Sequence, residues 1–350
     1  MVPALAVADA LRAEGADVTF IGARGRLEAE LVPKAGYGLE LLDVRGMDRS
    51  NPLRAAGAVA LAARAVPAAR GILRRREIDA VLGGGGYVAG PAGIAAISLG
   101  LPLVLTEADR HLGLANRLLA RRARRVCLAF PMPGREGARY VVTGRPVPAA
   151  ILEADRPTAR RRFGIGEDER CLLVFGGSQG ARSINLAALD AFAGSDGHAP
   201  AKRGFHVLHV AGHRDFAMAS ERVAAAGGLD DYTLLEYEPS LADTLAACDL
   251  VLARSGGSIF EIAAAGRPAV LVPYPHAAAD HQRANAVWMA DGGGALVIDD
   301  ASLDGPRLAA VAGGLLEDAD RLKTMAAASA ALARPGAARA VASEVLAATR

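Results

Sequence analysis

A short polar segment between two apolar runs has the residue types that bind a phosphorylated nucleotide. Residues 250–252 are apolar and predict a buried strand, which ends at the turn Arg-Ser-Gly-Gly-Ser of residues 254–258. Helical spacing follows over 259–265, and Gly266 suits the end of that helix. Backbone N–H groups at a glycine turn and at a helix N-terminus form a site for anions. Glu261 lies less than two turns into the helix, near enough to reach a ribose hydroxyl while the turn holds a diphosphate.

A polar loop completes this segment. A second apolar run at 269–272 ends at Pro273, and the residues that follow include His281 and Gln282 before a helix that contains Asn285. The order is strand, glycine turn, helix, strand and polar loop. This order favours the binding site of a nucleotide-diphosphate donor.

Two more glycine-rich turns follow predicted strands. Residues 80–82 lead into LGGGGYVAGP at 82–91, and residues 171–175 lead into FGGSQGAR at 175–182. Strands alternate with helices and short glycine turns along the chain, which is typical of parallel doubly wound sheets. The sequence therefore predicts an α/β protein of two Rossmann-like doubly wound domains that face a cleft.

The predicted domain boundary is a proline- and charge-rich segment at 146–157. Before it we expect strands at 18–22, 101–105, 125–129 and 140–143, and helices at 4–14, 28–34, 52–75 and 91–99. The first domain is expected to span 1–148, with a C-terminal helix at about 333–350 packed back on it. The second domain is expected to span 149–332.

The chain begins inside a helical pattern, and Pro3 suits the first turn of that helix. The first strand of a doubly wound sheet is central, and without it neighbouring strands leave buried backbone groups unpaired at about 1–3 kcal/mol each. We therefore expect a strand and a glycine turn to precede Met1 by roughly 10–20 residues.

Composition and charge limit the function classes. The 350 residues are 52% hydrophobic and 22% charged, which predicts two folded domains rather than a disordered chain. A net charge of +2 argues against a general nucleic-acid-binding protein. The three cysteines, at 127, 171 and 248, form no CxxC pair, so neither a disulfide framework nor a zinc site is predicted. The single Asp-x-Asp, at 318–320, lies in a polar helical stretch and predicts solvated surface rather than a metal site.

Taken together, the glycine-rich blocks at 82–91, 175–182 and 254–266, with the polar segment 282–286, resemble the MurG family of bacterial glycosyltransferases. The resemblance covers essentially the whole chain. It implies a GT-B fold and a metal-independent, cofactor-free, inverting transfer in peptidoglycan synthesis. The donor would be UDP-N-acetylglucosamine, bound by the second domain. The acceptor would be the 4-hydroxyl of undecaprenyl-diphosphate-linked N-acetylmuramoyl-pentapeptide, bound by the first.

The resemblance also implies roles for individual donor-site residues. Ser178 would bond a donor phosphate or sugar oxygen beside Gln179, although a serine there also suits a helix N-cap. Glu261 would accept from the ribose hydroxyls; its ordinary alternative is a solvent-facing helix position. Arg254 would either neutralise the diphosphate or pair with a carboxylate. The N-acetylglucosamine hydroxyls would be bound by Gln282 and Asn285, because neutral amides recognise sugar hydroxyls without an electrostatic penalty. His281, next to Gln282, would contact the same sugar. Backbone groups at 238–240 would contact the uracil.

In the acceptor half, the resemblance assigns the acceptor diphosphate to backbone amides of the glycine run, formed by Gly84, Gly85, Gly86 and Tyr87. Where the family usually has His-Glu-Gln-Asn, this chain has Thr-Glu-Ala-Asp at 106–109. The family's histidine base would lie ahead of Met1, so Glu107 and Asp109 are the candidate catalytic carboxylates in the sequence. The family's Asn-Pro-Val-Arg appears here as Arg-Pro-Val-Pro, which moves the phosphate role to Arg145.

Because the implied acceptor is a lipid, we expect the protein to contact an anionic membrane surface. Residues 52–76 alternate small apolar residues with six arginines, and the larger apolar members are Leu53, Val59, Leu61, Val66, Ile72 and Leu73. Such a basic amphipathic helix can lie on the cytoplasmic face of the cell membrane as a peripheral element. The plain alternative is an ordinary helix with a solvated arginine face.

Three rival functions stay open at this stage. One is a GT-B transferase that acts on another lipid or on a glycoside. Another is a catalytically impaired paralogue that binds a nucleotide sugar, which the absent histidine would favour. A nicotinamide dehydrogenase fits the strand–helix alternation, but the sequence lacks GxGxxG followed by an acidic residue about 20 positions later.

Overall fold

The computed structural model describes residues 1–26, 28–45, 52–177, 180–194, 203–277 and 280–350, with the backbone alone at 52–56. The chain divides into two compact units. The first unit consists of Met1–Pro148 and Arg334–Arg350, and the second consists of Ala149–Ala333.

The first unit alternates strands and helices. Its strands are β1 (Thr19–Ala23), β2 (Gly38–Leu42), β3 (Val81–Gly83), β4 (Leu103–Glu107), β5 (Arg125–Leu128) and β6 (Tyr140–Val142). Its helices are α1 (Val2–Ala13), α2 (Glu28–Lys34), α3 (Pro52–Arg75), α4 (Gly86–Ser98), α5 (Leu114–Leu119) and, at the end of the chain, α15 (Ala337–Ala348). The predicted helices at 4–14, 28–34 and 52–75 are therefore confirmed.

Helices cover both faces of the parallel sheet β3-β4-β5-β6. Along β4, Val104 packs with α1 and α15, whereas Leu103 and Leu105 face α3 and α4. This alternation follows from the two-residue period of a strand. Within the described residues β1 and β2 form a separate parallel pair, and no ladder joins β1 to β3. Ala23 of β1 and Leu42 of β2 nevertheless share the core cluster of Leu103 and Leu105.

The second unit has a longer alternation. Its strands are β7 (Arg170–Phe175), β8 (Phe205–Val210), β9 (Tyr232–Leu235), β10 (Leu250–Ala253), β11 (Ala269–Leu271) and β12 (Ala295–Val297). Its helices are α6 (Ala150–Glu153), α7 (Arg156–Phe163), α8 (Arg182–Phe192), α9 (Phe216–Ala225), α10 (Leu241–Ala247), α11 (Ile259–Ala264), α12 (His281–Asp291), α13 (Gly305–Glu317) and α14 (Ala319–Leu332). Asp318 caps α14 by accepting from the Arg321 N–H, so the Asp-x-Asp lies at a helix start.

The sheet of the second unit is fully parallel, in the order β12-β11-β10-β7-β8-β9. This is the strand order of a doubly wound Rossmann sheet, which reverses direction between β7 and β10. Leu172 and Val174 of β7 are buried against Ile184 and Leu189 of α8. All three cysteines are free and buried, as their apolar sequence context predicts, and burial raises the pKa of the Cys248 thiol to about 12.

Two predicted boundaries are wrong in an informative way. Strand β4 begins two residues late, at Leu103, because Pro102 has no N–H to donate, and it extends to Glu107, whose carbonyl accepts from Ala129. Helix α4 begins at Gly86, inside the glycine run, and not at Pro91, which lies within the helix. The helix N-terminus therefore lies in the glycine loop itself.

A buried arginine fastens the start of the second unit to its sheet. The Arg160 guanidinium is almost fully buried and donates to the carbonyls of Gly166, Glu169 and Ala247. The same guanidinium lies 3.5 Å from the Asp249 carboxylate. Because Ala247 ends α10, this one side chain joins α7 to the end of α10.

Replacing Arg160 with methionine should lower the free energy of unfolding by about 3 kcal/mol, since buried acceptors lose their donors. Urea denaturation followed by circular dichroism measures this. The matched control is Arg161→Met, because Arg161 is exposed and its side chain bonds only Thr158 Oγ1 among the described residues. Equal stability of the two variants would contradict the prediction.

Candidate active site

The loops that follow β7 and β10 meet at one point of the second unit. Strands β7 and β10 are neighbours and end together, with Phe175 opposite Ala253. In an open α/β sheet, ligands bind outside the carboxyl ends of the strands where the strand order reverses. The glycine loop after Phe175 and the turn after Ala253 therefore flank the expected ligand position.

The loop after β7 requires glycine at two positions. A Cβ at Gly176 would lie 2.2 Å from the Ala181 backbone nitrogen, and one at Gly180 would lie 2.3 Å from the Ala211 carbonyl oxygen. Gly180 also has a φ of +76°, which L-residues avoid. Ser178 and Gln179, predicted to contact the donor, lie outside the described residues.

Arg254 pairs with a carboxylate, which was one of its two predicted roles. Its Nη1 lies 2.6 Å from Asp300 Oδ1, and its Nη2 donates to Ser183 Oγ at 2.8 Å. The guanidinium also lies over the Tyr274 ring, 5.5 Å from its centroid. Because Ser183 is in the first turn of α8, Arg254 holds the turn after β10 against the start of that helix.

Helix α12 is anchored to the same turn by its polar side chains. Asn285 is buried, and its amide donates to the Ser255 carbonyl at 3.0 Å, while Ser255 Oγ donates to the Gln282 carbonyl at 2.8 Å. Gln282 is half-buried; its Oε1 accepts from the Tyr274 N–H, and its Nε2 faces Gly256. The structure thus gives Asn285 a positioning contact, and of the two predicted sugar-binding amides Gln282 is the more accessible.

Two further predicted donor residues belong to the same strand ends. Glu261 is the third residue of α11 and half-buried, within one turn of the 254–258 segment. His281 is the first residue of α12 and also half-buried. Gly266 ends α11 with a φ of +62°, as its position in the sequence predicts.

The segment predicted to contact uracil lies between β9 and α10. The Ser240 N–H donates to Glu238 Oε1 at 2.8 Å, and Ser240 Oγ accepts from Asp243, so this serine is a helix cap. Beside it the exposed rings of His213 and Tyr237 stack with centroids 5.3 Å apart.

In the first unit, the glycine run forms the N-terminus of α4. Gly85 and Gly86 have φ values of +80° and +75°, and the helix then continues for 13 residues to Ser98. Gly84 and Gly86 are exposed, and Tyr87 is half-buried with Arg26 5.9 Å above its ring. The loop therefore presents helix-terminal N–H groups, which attract anions.

Glu107 lies in a closed hydrogen-bond cage. Its two carboxylate oxygens accept from the N–H groups of Ala108, Asp109 and Gly113 and from Asn116 Nδ2, at 2.8–3.3 Å. Asn116 also donates to the Thr106 carbonyl at 2.8 Å. Glu107 is 9% exposed, so the cage orders the 106–116 loop, and a substrate hydroxyl has no open lone pair there.

Asp109 differs from Glu107 in its surroundings. It is half-buried, and its carboxylate forms no hydrogen bond or ion pair with any residue in the described ranges. Arg145 is half-buried beyond the end of β6. Of the two predicted catalytic carboxylates, Asp109 is the accessible one.

Several residues of these networks carried no sequence signal. Ser183 and Asp300 are 71 and 46 positions away from Arg254. Asn116 lies nine residues beyond Glu107, in a segment that reads as an ordinary amphipathic helix. Long-range polar partners of this kind emerge only when the strands are placed in order.

Comparison with known proteins covers both units. Residues 1–128 match the glycosyltransferase family 28 N-terminal domain, and residues 171–341 match the glycosyltransferase family 28 C-terminal domain. The UDP-N-acetylglucosamine--N-acetylmuramyl-(pentapeptide) pyrophosphoryl-undecaprenol N-acetylglucosamine transferase of Moorella thermoacetica is 41% identical, over 98% of this chain and 94% of the relative. The enzyme of the same name from Rubrobacter xylanophilus is 39% identical, over 98% and 99%.

The chain belongs to this family of glycosyltransferases. Among solved structures, MurG of Acinetobacter baumannii superposes with a TM-score of 0.75 at 27% identity, covering 99% of this chain and 95% of that one. The family 28 glycosyltransferase described here therefore has the two parallel α/β units of a GT-B enzyme, as its glycine-rich turns predict. The loops after β7 and β10 both lie in the part that matches the C-terminal family domain.

Proposed function

We propose that this chain transfers N-acetylglucosamine from UDP-N-acetylglucosamine to the 4-hydroxyl of undecaprenyl-diphosphate-linked N-acetylmuramoyl-pentapeptide. The relatives from Moorella thermoacetica and Rubrobacter xylanophilus are named as N-acetylglucosamine transferases that act on the N-acetylmuramyl-(pentapeptide) pyrophosphoryl-undecaprenol acceptor, and each aligns with 98% of this chain. The observation that carries the proposal is the convergence of the loops after β7 and β10 at the point where the strand order reverses.

We assign donor binding to the second unit. Ser178, Gln179 and the backbone of the β7–α8 loop hold the diphosphate, because glycines at 176 and 180 let the main chain approach closely. Glu261 accepts from the ribose hydroxyls. Gln282 and His281, at the start of α12, contact the N-acetylglucosamine, while Arg254 and Asn285 fix the neighbouring turn at 254–258.

We assign acceptor binding to the first unit. The N–H groups at Gly84–Tyr87 hold the acceptor diphosphate, since the N-terminus of a 13-residue helix favours negative charge. Arg145 adds a cation to the same half of the molecule. Glu107 orders the loop that leads to Asp109.

The proposed reaction is a single displacement. The 4-hydroxyl oxygen attacks the anomeric carbon, the bond to the β-phosphate oxygen breaks, and UDP leaves as the anion. The hydroxyl proton passes to a base. Among the carboxylates of the 106–109 segment we propose that Asp109 contributes to accepting this proton, because its carboxylate has no hydrogen-bond partner among the described residues.

Asp109→Asn should then lower kcat about tenfold or more, with KM for UDP-N-acetylglucosamine unchanged, because an amide cannot accept the proton. The control is Asp318→Asn, which keeps a helix-capping oxygen far along the chain and should leave kcat within about twofold. An unchanged kcat in Asp109→Asn would place the base elsewhere.

The transfer itself is tested with radiolabelled UDP-N-acetylglucosamine and the polyprenyl-diphosphate acceptor in detergent. We expect label in the extracted lipid, none when the acceptor is a sterol or a plain aglycone, and full activity in excess chelator. Donor binding without transfer to any acceptor would favour an impaired nucleotide-sugar-binding protein instead.

We further propose that the first unit touches an anionic bilayer on the cytoplasmic side. Within the described ranges, none of the helices is both long and apolar enough to span a membrane. Among the described side chains, three neighbouring helices expose one large apolar side chain each: Val59 of α3 (54% exposed), Ile94 of α4 (49%) and Leu118 of α5 (69%). The exposed arginines 117, 121 and 122 lie beside Leu118 in the sequence. Exposed apolar side chains with cations nearby in the sequence suit a lipid headgroup region.

This surface differs from the one predicted for residues 52–76. Ile72 and Leu73 are buried in the core, so the apolar side of α3 mostly faces inward. Arg75 and Arg76 pair with Glu40. The side chains of Leu53 and Arg54 lie outside the described residues. The membrane surface is therefore assigned to the exposed side chains of α3, α4 and α5 together.

Flotation with phosphatidylglycerol vesicles tests this surface. Replacing Ile94 and Leu118 together with serine should reduce the floating fraction about tenfold, since both lose apolar contact with the bilayer. Val287→Ser, at an exposed position of the second unit, is the control and should float like the wild type. Equal flotation of both variants would refute the assignment.

A further inference from the structure

Four buried polar side chains form a continuous hydrogen-bonded chain in the second unit. Tyr232 Oη lies 2.7 Å from His209 Nδ1, and His209 Nε2 lies 3.0 Å from Asn185 Oδ1. Asn185 Nδ2 lies 3.0 Å from Asp215 Oδ2. All four residues are buried. This hydrogen-bonded network links β9, β8, α8 and the start of α9.

The donor and acceptor roles in this hydrogen-bonded network follow from the contacts of Asn185. Asn185 Nδ2 donates to two oxygens, the Ala211 carbonyl at 2.8 Å and the Asp215 carboxylate, so the amide cannot be reversed. Its Oδ1 can only accept, and therefore His209 Nε2 carries the hydrogen. His209 Nδ1 then accepts from the Tyr232 hydroxyl. Burial lowers the pKa of His209 to about 3, so this single neutral tautomer persists across the physiological range.

The chain ends directly beneath the glycine loop that follows β7. Asn185 holds the Ala211 carbonyl, and Gly180 packs on that same oxygen so closely that a Cβ at 180 would lie 2.3 Å from it. The position of the Ala211 carbonyl therefore sets how far Gly180, and the loop that contains it, can approach the sheet. Asn185 itself is turned toward this carbonyl by the bond from His209.

We infer that Tyr232, His209 and Asn185 are positioning residues that set the height of the β7–α8 glycine loop above the sheet and thereby the affinity for a nucleoside diphosphate. The inference rests on the proposed function, in which this loop binds the diphosphate of the donor. None of the three side chains need touch the ligand. They act through the Ala211 carbonyl and Gly180.

The same strand carries a matched buried histidine with no link to the loop. His206 lies near the start of β8, is 2% exposed, and bonds Thr233 Oγ1 of β9 at 2.8 Å. It is as buried as His209 and also bonds a hydroxyl of the neighbouring strand. Its ring lies near Glu169, at the opposite end of β8 from Ala211. A purely structural role for buried histidines would make the two positions equivalent.

The test compares His209→Phe with His206→Phe by calorimetric titration with UDP and by steady-state kinetics. Both variants should melt at a lower temperature than the wild type. Only His209→Phe should raise Kd for UDP and KM for UDP-N-acetylglucosamine, by about tenfold, with kcat within about twofold. Tyr232→Phe, which removes one donor at the far end, should raise Kd about two- to threefold. Equal Kd values for the two histidine variants would overturn the inference.

A spectroscopic measurement on the unmodified chain covers the case in which His209→Phe does not fold. In ¹⁵N-labelled protein, His209 should show a neutral Nε2–H ring between pH 8 and pH 5. UDP should shift its ring nitrogens and leave those of His206 in place. Wild-type protein that binds UDP without this shift overturns the inference alone. Wild-type protein that binds no UDP overturns the proposed function and the inference with it.

Discussion

Replacing Glu261 with alanine is expected to lower kcat/KM for UDP-N-acetylglucosamine about a hundredfold. Glu261 is the third residue of α11, beside the turn at 254–258, and the loss of two charge-assisted hydrogen bonds to ribose hydroxyls costs about 3 kcal/mol. Glu261→Gln keeps one accepting oxygen and should lose about tenfold. The exposed Glu317, also in the second unit, gives the control Glu317→Gln, which should leave the kinetics unchanged.

A ligand that lacks the ribose hydroxyls distinguishes a lost ribose contact from a change in the fold. Glu261→Gln should weaken UDP about tenfold in calorimetric titration but leave 2′,3′-dideoxy-UDP unaffected, because that ligand has no hydroxyl for the carboxylate to accept from. Equal weakening of both ligands would remove Glu261 from the ribose site and leave it a structural role.

The second large effect is expected at Gly180. In Gly180→Ala the new Cβ meets the Ala211 carbonyl oxygen at 2.3 Å, and the φ of +76° is strained for any L-residue. The loop must move away from the sheet, so we expect Kd for UDP to rise at least about thirtyfold. The free energy of unfolding should fall by about 2 kcal/mol as well.

A second Gly-to-Ala replacement in the same unit controls for the general effect of replacing glycine with alanine. Gly313 lies inside α13, where a Cβ would meet nothing within 4 Å. Gly313→Ala should therefore stabilise the fold by about 0.5–1 kcal/mol and leave Kd for UDP unchanged. Unaltered UDP binding by Gly180→Ala would mean that the β7–α8 loop does not hold the diphosphate.

Much of the framework could be predicted from local pattern. Apolar runs followed by glycine turns locate β3, β7 and β10, because parallel strands buried on both faces are continuous apolar segments. Gly266 could be predicted to end α11, since glycine takes a positive φ without a steric penalty. These features depend only on neighbours within a few residues.

Other features depend on contacts that local pattern does not contain. The sequence predicts a helix that begins at Pro91, yet α4 begins five residues earlier, because Gly85 and Gly86 take positive φ values that let the helix start inside the glycine run. Pro91 lies beyond the first turn of α4, and its missing N–H forfeits one intrahelical hydrogen bond. The sequence leaves Arg254 two roles, to neutralise a diphosphate or to pair with a carboxylate, and only the strand order shows Asp300 and Ser183 beside it. The sequence predicts Glu107 as a candidate catalytic carboxylate, whereas in the structure its carboxylate accepts from backbone N–H groups of its own loop.

The first unit shows the same division between local and long-range information. Among the described residues, no backbone ladder joins the β1-β2 pair to the β3-β4-β5-β6 sheet. One hydrophobic core cluster nevertheless contains side chains of both sheets. Helices α3 and α4 pack on residues of both sheets. In the described part of the chain, the two sheets are therefore joined by the packing of α3 and α4 rather than by strand-to-strand hydrogen bonds.

The most direct measurement is a crystal structure of this chain soaked with UDP-N-acetylglucosamine. We predict density for the diphosphate in the β7–α8 loop at Gly176–Gly180, with the ribose hydroxyls within hydrogen-bond distance of Glu261 and the sugar beside Gln282. Density for the nucleotide at any other strand end, or at the glycine run of α4, would contradict the assignment of donor binding to the second unit.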